Sequence, residues 1–168
     1  MPRAWCVSRQ NPYGTRLLMT PYALIEELSE KEEFTAADLK RVEAMLKRYP
    51  KSAELWDYYG DLMQMCSEEF PIERSQECYE KAIQCYPTFA SAHESLGHLY
   101  DAYLDDFPKA EACFLRAIEF GAGDSARVGL ARVFSQTDRE AAARKQLDLC
   151  EEQANQDVLE LRAEIDEV

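Results

Sequence analysis

Between Pro87 and Phe120 the chain carries two helical patterns that face each other. The first, His93-Glu94-Ser95-Leu96-Gly97-His98-Leu99-Tyr100, aligns Leu96, Gly97 and Tyr100. The second, Ala110-Glu111-Ala112-Cys113-Phe114-Leu115-Arg116-Ala117, aligns Ala110, Phe114 and Ala117 on one helical face. Two helices approach closely only where each lacks bulk; Gly97, Ala110 and Ala117 provide that room while Leu96, Tyr100 and Phe114 fill around it. A single pair of this kind cannot bury its apolar face alone, so more must follow or precede it. One does: Trp56-x2-Tyr59-Gly60-x2-Met63 leads into Ser75-x3-Tyr79-x2-Ala82-x4-Pro87. Trp56 to His93 is 37 residues and so is Gly60 to Gly97, so the two units are in register.

These positions resemble the tetratricopeptide repeat, W-x2-L-G-x2-Y…A-x3-F…P, with His93 in the tryptophan place. The family period is about 34 residues, and the excess here falls between the two helices of each unit. The resemblance covers about residues 20–152 and is most specific over 53–120. It implies an all-α fold, an α-solenoid of antiparallel helix pairs with about nine helices and a C-terminal capping helix.

The rest of the chain reads within that frame. Residues 1–19 form a basic, extended N-terminal arm: Arg3, Arg9 and Arg16 with no acid, Trp5 and Tyr13 as aromatics, Pro2 and Pro12 opposing helix. Residues 20–168 are the solenoid, in units of about 20–52, 53–89, 90–122 and 123–152 and a capping helix over 153–168. Thr20-Pro21 is a helix start, and a second helix follows from about Thr35 to Tyr49-Pro50. Asp124 is expected to cap a helix carrying Val128, Gly129, Leu130, Val133 and Phe134, with a turn at Ser135-Gln136-Thr137-Asp138. The last helix puts Val158, Leu161, Ile165 and Val168 on one side and a dense acidic face on the other, as a solenoid end requires. Glu32-Glu33, Glu68-Glu69 and Asp105-Asp106, each before a phenylalanine, read as solvated turn residues. No strand pattern is present.

Charge narrows the partners. The chain of 168 residues has a formal charge of −13, from 19 basic and 32 acidic residues. With the arm at +3, the remainder is −13 − 3 = −16. Such a surface disfavours nucleic acid and anionic membranes and favours a basic protein or peptide. No apolar run reaches the roughly 20 residues of a membrane span, and Met1–Arg9 lacks the apolar core of a signal peptide. The expectation is a cytoplasmic protein. Cys6, Cys66, Cys78, Cys85, Cys113 and Cys150 form no CxxC pair and read as free thiols.

No Ser-His-Asp arrangement, glycine-rich phosphate loop or HExxH occurs, so neither an enzyme nor a cofactor is expected. His93 reads as a packing residue. Glu94, His98 and Asp101 share one helical face and could ligate a metal, but no further histidine or cysteine joins them, so a metal protein built on His98 is the weakest reading.

The resemblance supplies another role for that face. In this family the first helix of each unit lines a concave groove through its second, fifth, ninth, twelfth and thirteenth positions. On this chain these are Glu54, Asp57, Asp61, Gln64 and Met65, then Ser91, Glu94, His98, Asp101 and Ala102, with Tyr58 flanking. Five of the ten are acids and none is Lys or Arg. Members that hold a peptide's terminal carboxylate use Lys and Asn where Asp57 and Asp61 stand, so a carboxylate would be repelled here. The expected function is a non-enzymatic interaction module binding a basic or extended segment in an acidic groove. One candidate ligand is the arm itself, through Arg3, Trp5, Arg9, Tyr13 and Arg16. It would dock in cis, giving a monomer, or in trans, giving an arm-exchanged dimer, unless it packs as a cap on the first repeat. The alternative is a dedicated chaperone for a secreted or assembly-bound client.

Overall fold

Each helix begins where the sequence offers something to its free N–H groups. The computed structural model describes residues 19–66 and 70–166. Thr20 Oγ1 accepts from the Ala23 N–H at 3.2 Å and starts α1 (Pro21–Ser29). Asp38 reaches back to the Thr35 N–H at 3.0 Å to start α2 (Ala36–Arg48). Ser52 Oγ accepts from the Leu55 N–H at 3.3 Å at the head of α3 (Ala53–Met65). Pro71 precedes α4 (Ile72–Cys85) and Phe89 precedes α5 (Ala90–Ala102). Asp106, read from sequence as a solvated turn acid, caps α6 (Phe107–Glu119) by accepting from the Lys109 N–H at 3.2 Å. Then come α7 (Asp124–Gln136), α8 (Glu140–Asp148) and α9 (Gln156–Asp166).

The described residues form nine helices and no strand, an all-α helical solenoid. An isolated parallel bridge between Phe34 and Cys66 ties the first turn to the end of α3. Consecutive helices pair, α3 with α4, α5 with α6 and α7 with α8, and the pairs stack through α4 on α5 and α6 on α7. The first helices also touch across pairs, α3 with α5 and α5 with α7, and so line one side together. The last helix, α9, packs on α7 and α8 and buries Val158, Leu161 and Ile165.

The small residues do what their spacing predicts. A Cβ on Gly60 would come within 2.6 Å of the Tyr79 ring, and one on Gly97 within 2.9 Å of the Phe114 ring. The Phe114 ring is closed in from its other neighbour too, since a Cβ on Gly129 of α7 would fall 2.5 Å from it. In the last pair Ala131 stands 34 residues after Gly97 (131 − 97), and Leu147 occupies the aromatic's place; both are fully buried. The smaller leucine leaves room for a methyl where the aromatics demand glycine.

His93 serves as a tryptophan substitute. Trp56 Nε1 donates to the Pro50 carbonyl at 2.9 Å, and His93 Nε2 lies 2.9 Å from the Pro87 carbonyl, each six residues back. A carbonyl only accepts, so His93 Nε2 carries the proton. Two local expectations are corrected. Asp124 does not cap its own helix, because Gly123 precedes α7 and the Asp124 carboxylate accepts the Glu151 and Glu152 N–H groups at 3.0 and 2.8 Å. The helix also runs on through Ser135 and Gln136, and the turn comes at Thr137-Asp138, with Asp138 at φ 57°. Val168, Glu68 and Glu69 lie outside the described residues.

Candidate functional site

The face shared by α3, α5 and α7 gathers five of the residues singled out from sequence: Asp57, Asp61, Glu94, His98 and Asp101. Asp57 is only 5 % exposed. Its Oδ2 accepts the Ser91 hydroxyl of α5 at 2.6 Å, while Oδ1 has no hydrogen-bond partner among the described residues. Burial, then the negative charges of Asp61 and Glu94, push its carboxyl from an ordinary 3.8 up to about 7, against the pull of the Ser91 and Ser95 hydroxyls. One turn on, Asp61 Oδ1 accepts the Tyr79 hydroxyl at 2.7 Å, and Tyr79 in turn accepts Gln64 Nε2 at 2.5 Å. Burial raises the Asp61 carboxyl too, with the Tyr79 bond and the nearby His98 opposing it.

On α5 the Glu94 carboxylate lies 3.9 Å from His98 Nε2. His98, and less strongly the Ser125 hydroxyl of α7, hold Glu94 below its usual range in spite of burial. The His98 ring meets the Phe114 ring edge-on at 4.9 Å, which fixes its seat between the carboxylates. Asp101, 4 % exposed, stands 3.8 Å from the Arg132 guanidinium of α7. Its Oδ1 again has no hydrogen-bond partner among the described residues, and burial raises its carboxyl against the pull of Arg132.

The four buried polar residues among those described divide cleanly. Ser75 Oγ donates to the Gly60 carbonyl at 3.1 Å. Asp38 is bonded to the Lys31 ammonium at 2.5 Å and to the Thr35 hydroxyl at 2.9 Å, and Lys31 holds its carboxyl below the usual range. Of the four, Asp57 and Asp101 are left part-satisfied, and both face the α3–α5–α7 side. Buried carboxylates without partners are costly to the fold and are concentrated at functional sites.

The other sequence candidates lie elsewhere. Glu54 is exposed at the head of α3 and accepts the Ser52 hydroxyl at 2.8 Å. Met65, 62 % exposed, is at the other end of the same helix. Tyr58 packs against the N-terminal part of the core, and its buried hydroxyl finds no partner among the described residues. Arg3, Trp5, Arg9, Tyr13 and Arg16 lie outside the described residues. Among the described residues no three His, Cys, Asp or Glu side chains are placed to hold a metal ion. No described helix is long and apolar enough to cross a membrane.

Three residues of the face were not found from sequence: Ser95, Ser125 and Arg132. Arg132 stands 34 residues after His98 (132 − 98), so it holds the equivalent position in the last pair. Beyond it a hollow of about 70 Å³ separates it from Asp157, Glu160 and Glu164 of α9.

Solved structures share this architecture. The thermophilic TPR protein TTC0263 of Thermus thermophilus superposes with a TM-score of 0.64 over 88% of this chain and 80% of its own, at 21% identity. MamA superposes with a TM-score of 0.63 over 89% of this chain and 82% of its own, at 15% identity. The fold is that of a tetratricopeptide-repeat protein. No family model and no curated protein matches the sequence. In the tetratricopeptide frame, Asp57 and Asp61 hold the fifth and ninth positions of one repeat and Glu94 and His98 those of the next. The fifth-position acid meets a second-position serine from the following repeat in both cases, Ser91 at Asp57 and Ser125 at Glu94.

Proposed function

We propose that this protein is a non-enzymatic interaction module whose α3–α5–α7 face is a groove for a basic, extended segment of a protein partner. The observation that carries the reading is the pair of buried carboxylates, Asp57 and Asp101, each with one oxygen lacking a hydrogen bond among the described residues. Arg132 stands beside Asp101, so a ligand's cationic side chain is best placed over Asp57 and its half-buried neighbour Asp61, and the chain's formal charge of −13 steers such a ligand toward them. Helix-pair repeats suit this task because a fixed stack presents side chains at regular intervals to an extended chain.

The arm of residues 1–19 is a ligand of the right chemistry within the same chain. Seated in cis it leaves a monomer whose groove is guarded; seated in trans it links two copies. Its other role would be as a cap on the first repeat, under Trp5 and Tyr13.

Calorimetric titration of a synthetic peptide of residues 1–20 into a chain beginning at Thr20, at low and high salt, tests the groove directly. Binding is expected to weaken by about tenfold or more between low and a few hundred millimolar salt, and to fail in Asp61→Lys, whose fold is checked by circular dichroism. Binding insensitive to both salt and Asp61→Lys would overturn the groove reading of the arm. A truncated chain that no longer folds would assign the arm to the cap.

A further inference from the structure

We infer that the groove reads two cationic side chains spaced three residues apart, one over Asp57 and Asp61 and the other over Glu94, and that Arg132 ends the cation-reading stretch. This rests on the groove reading above and specifies what the partner must contain.

The spacing follows from the stack. The two acidic stations recur on neighbouring helices at equivalent positions, Asp57 and Glu94 being 37 residues apart (94 − 57). Helices α3 and α5 are in direct contact, since the Ser91 hydroxyl of one bonds the Asp57 carboxylate of the other at 2.6 Å. Helices packed in that way have axes about 8–10 Å apart. A polyproline II segment rises about 3.1 Å per residue with three residues per turn, so side chains i and i+3 share a face about 9 Å apart. A β-strand ligand offers about 6.6 Å at i+2 or about 13 Å at i+4 on one face, and neither matches.

Both stations are acidic, and the first is not self-satisfied. At the first, the buried Oδ1 of Asp57 has no hydrogen bond among the described residues, and half-buried Asp61 stands one turn away. At the second, Glu94 has the 3.9 Å contact to His98 and the Ser125 hydroxyl, with the unpartnered Oδ1 of Asp101 further along the helix. One step further the chain supplies a cation of its own. Arg132 holds the ninth position of the last pair, half exposed, 3.8 Å from Asp101 and flanked by Asp157, Glu160 and Glu164 of α9. A ligand cation arriving there would meet a guanidinium, so a third basic residue gains nothing.

The test uses the full-length chain and capped proline-rich peptides carrying two lysines at i,i+1, i,i+2, i,i+3 or i,i+4, titrated at low ionic strength. The i,i+3 peptide is expected to bind about tenfold or more tighter than the others, and its advantage to vanish in Asp61→Asn and in Glu94→Gln. A third lysine at either i−3 or i+6 should add nothing with the wild-type protein and add severalfold with Arg132→Gln. Equal affinities at all spacings, or a preference for i,i+2 or i,i+4, would overturn this inference and leave the basic-segment reading intact. Failure of every lysine peptide to bind would overturn both. Because the spacing series is read on the unmutated protein, a variant that unfolds does not remove the test.

Discussion

Asp57 shows how one position can serve two ends. Burial keeps its proton up to about pH 7 in the folded protein, where an unfolded chain would release it near 3.8. Between those values the folded state binds the extra proton, so stability falls as pH rises through the window, by on the order of 4 kcal/mol in total, and is level above it. Asp57→Asn removes this dependence. Urea melts at several pH values should show the variant gaining on the wild type from pH 4 to 7 and the difference constant thereafter; a gap moving the other way would mean an ionised, well-paired Asp57. The same proton couples to binding. A ligand cation favours the ionised form, so affinity for basic peptides is expected to rise from pH 6 to 8, and Asp57→Asn to flatten that rise. The groups facing Asp57 in that titration are Asp61 on its own helix, Tyr79 from α4, and Glu94 with Ser91 and Ser95 from α5. Asp38 has the opposite sign: its carboxyl is held down by Lys31, so its contribution persists above the ordinary carboxylate range and is lost only as pH falls through its lowered value. Nothing in the residue type separates these two aspartates. The lysine seven residues before Asp38 does, and only its folded position makes it count.

At the scale of the helix, Phe114 is the hinge of packing between α5, α6 and α7. Gly97 and Gly129 both approach its ring too closely for any Cβ. Gly97→Val should cost about 1–3 kcal/mol by overpacking. Gly129→Ala should cost a similar amount, but less in a Phe114→Leu background, because the added methyl meets the far edge of the Phe114 ring, which a leucine lacks. A double-mutant cycle in thermal or urea unfolding measures this coupling, and strict additivity would refute the shared contact. The glycine–aromatic pairs were legible in sequence because packing leaves a residue-type signature at fixed spacing. Arg132 was not, for a related reason: the last pair has Arg127, Ala131 and Phe134 where its neighbours have Trp56 or His93, glycine, and Met63 or Tyr100. Without that signature the frame is lost, and with it the groove position that bears a cation. The register did reveal which acids share a face, but burial depth depends on neighbouring helices, and so the isolation of Asp57 and Asp101 emerged only from the fold.

For the whole molecule, the ends carry the burden that the middle repeats share with each other. Helix α9 covers the last pair and is tied down by Arg144 to Asp166 at 2.9 Å, Arg162 to Asp148 at 2.8 Å, and Gln153 bonded to the Leu147 and Cys150 carbonyls. Deleting residues 153–168 would bare the faces of α7 and α8 on which α9 packs. The truncated chain is expected to melt several degrees lower and to self-associate, as sedimentation would show; an unchanged melting temperature would mean α9 is not a cap. The core of the described residues comes in two large parts and a small cluster of Ala53, Ala82 and Ala92, and adjacent residues Cys78 and Tyr79 belong to different large parts. This division gives the thiols a use. Cys78 is buried in the N-terminal part and its thiol is pushed up to about 11, while Cys150 is buried in the C-terminal part. An alkylating reagent can reach either one only when its part of the stack opens. The rates at which the two sulfurs are modified, resolved by peptide mass, therefore time the breathing of each half of the solenoid separately, with no probe added to the chain.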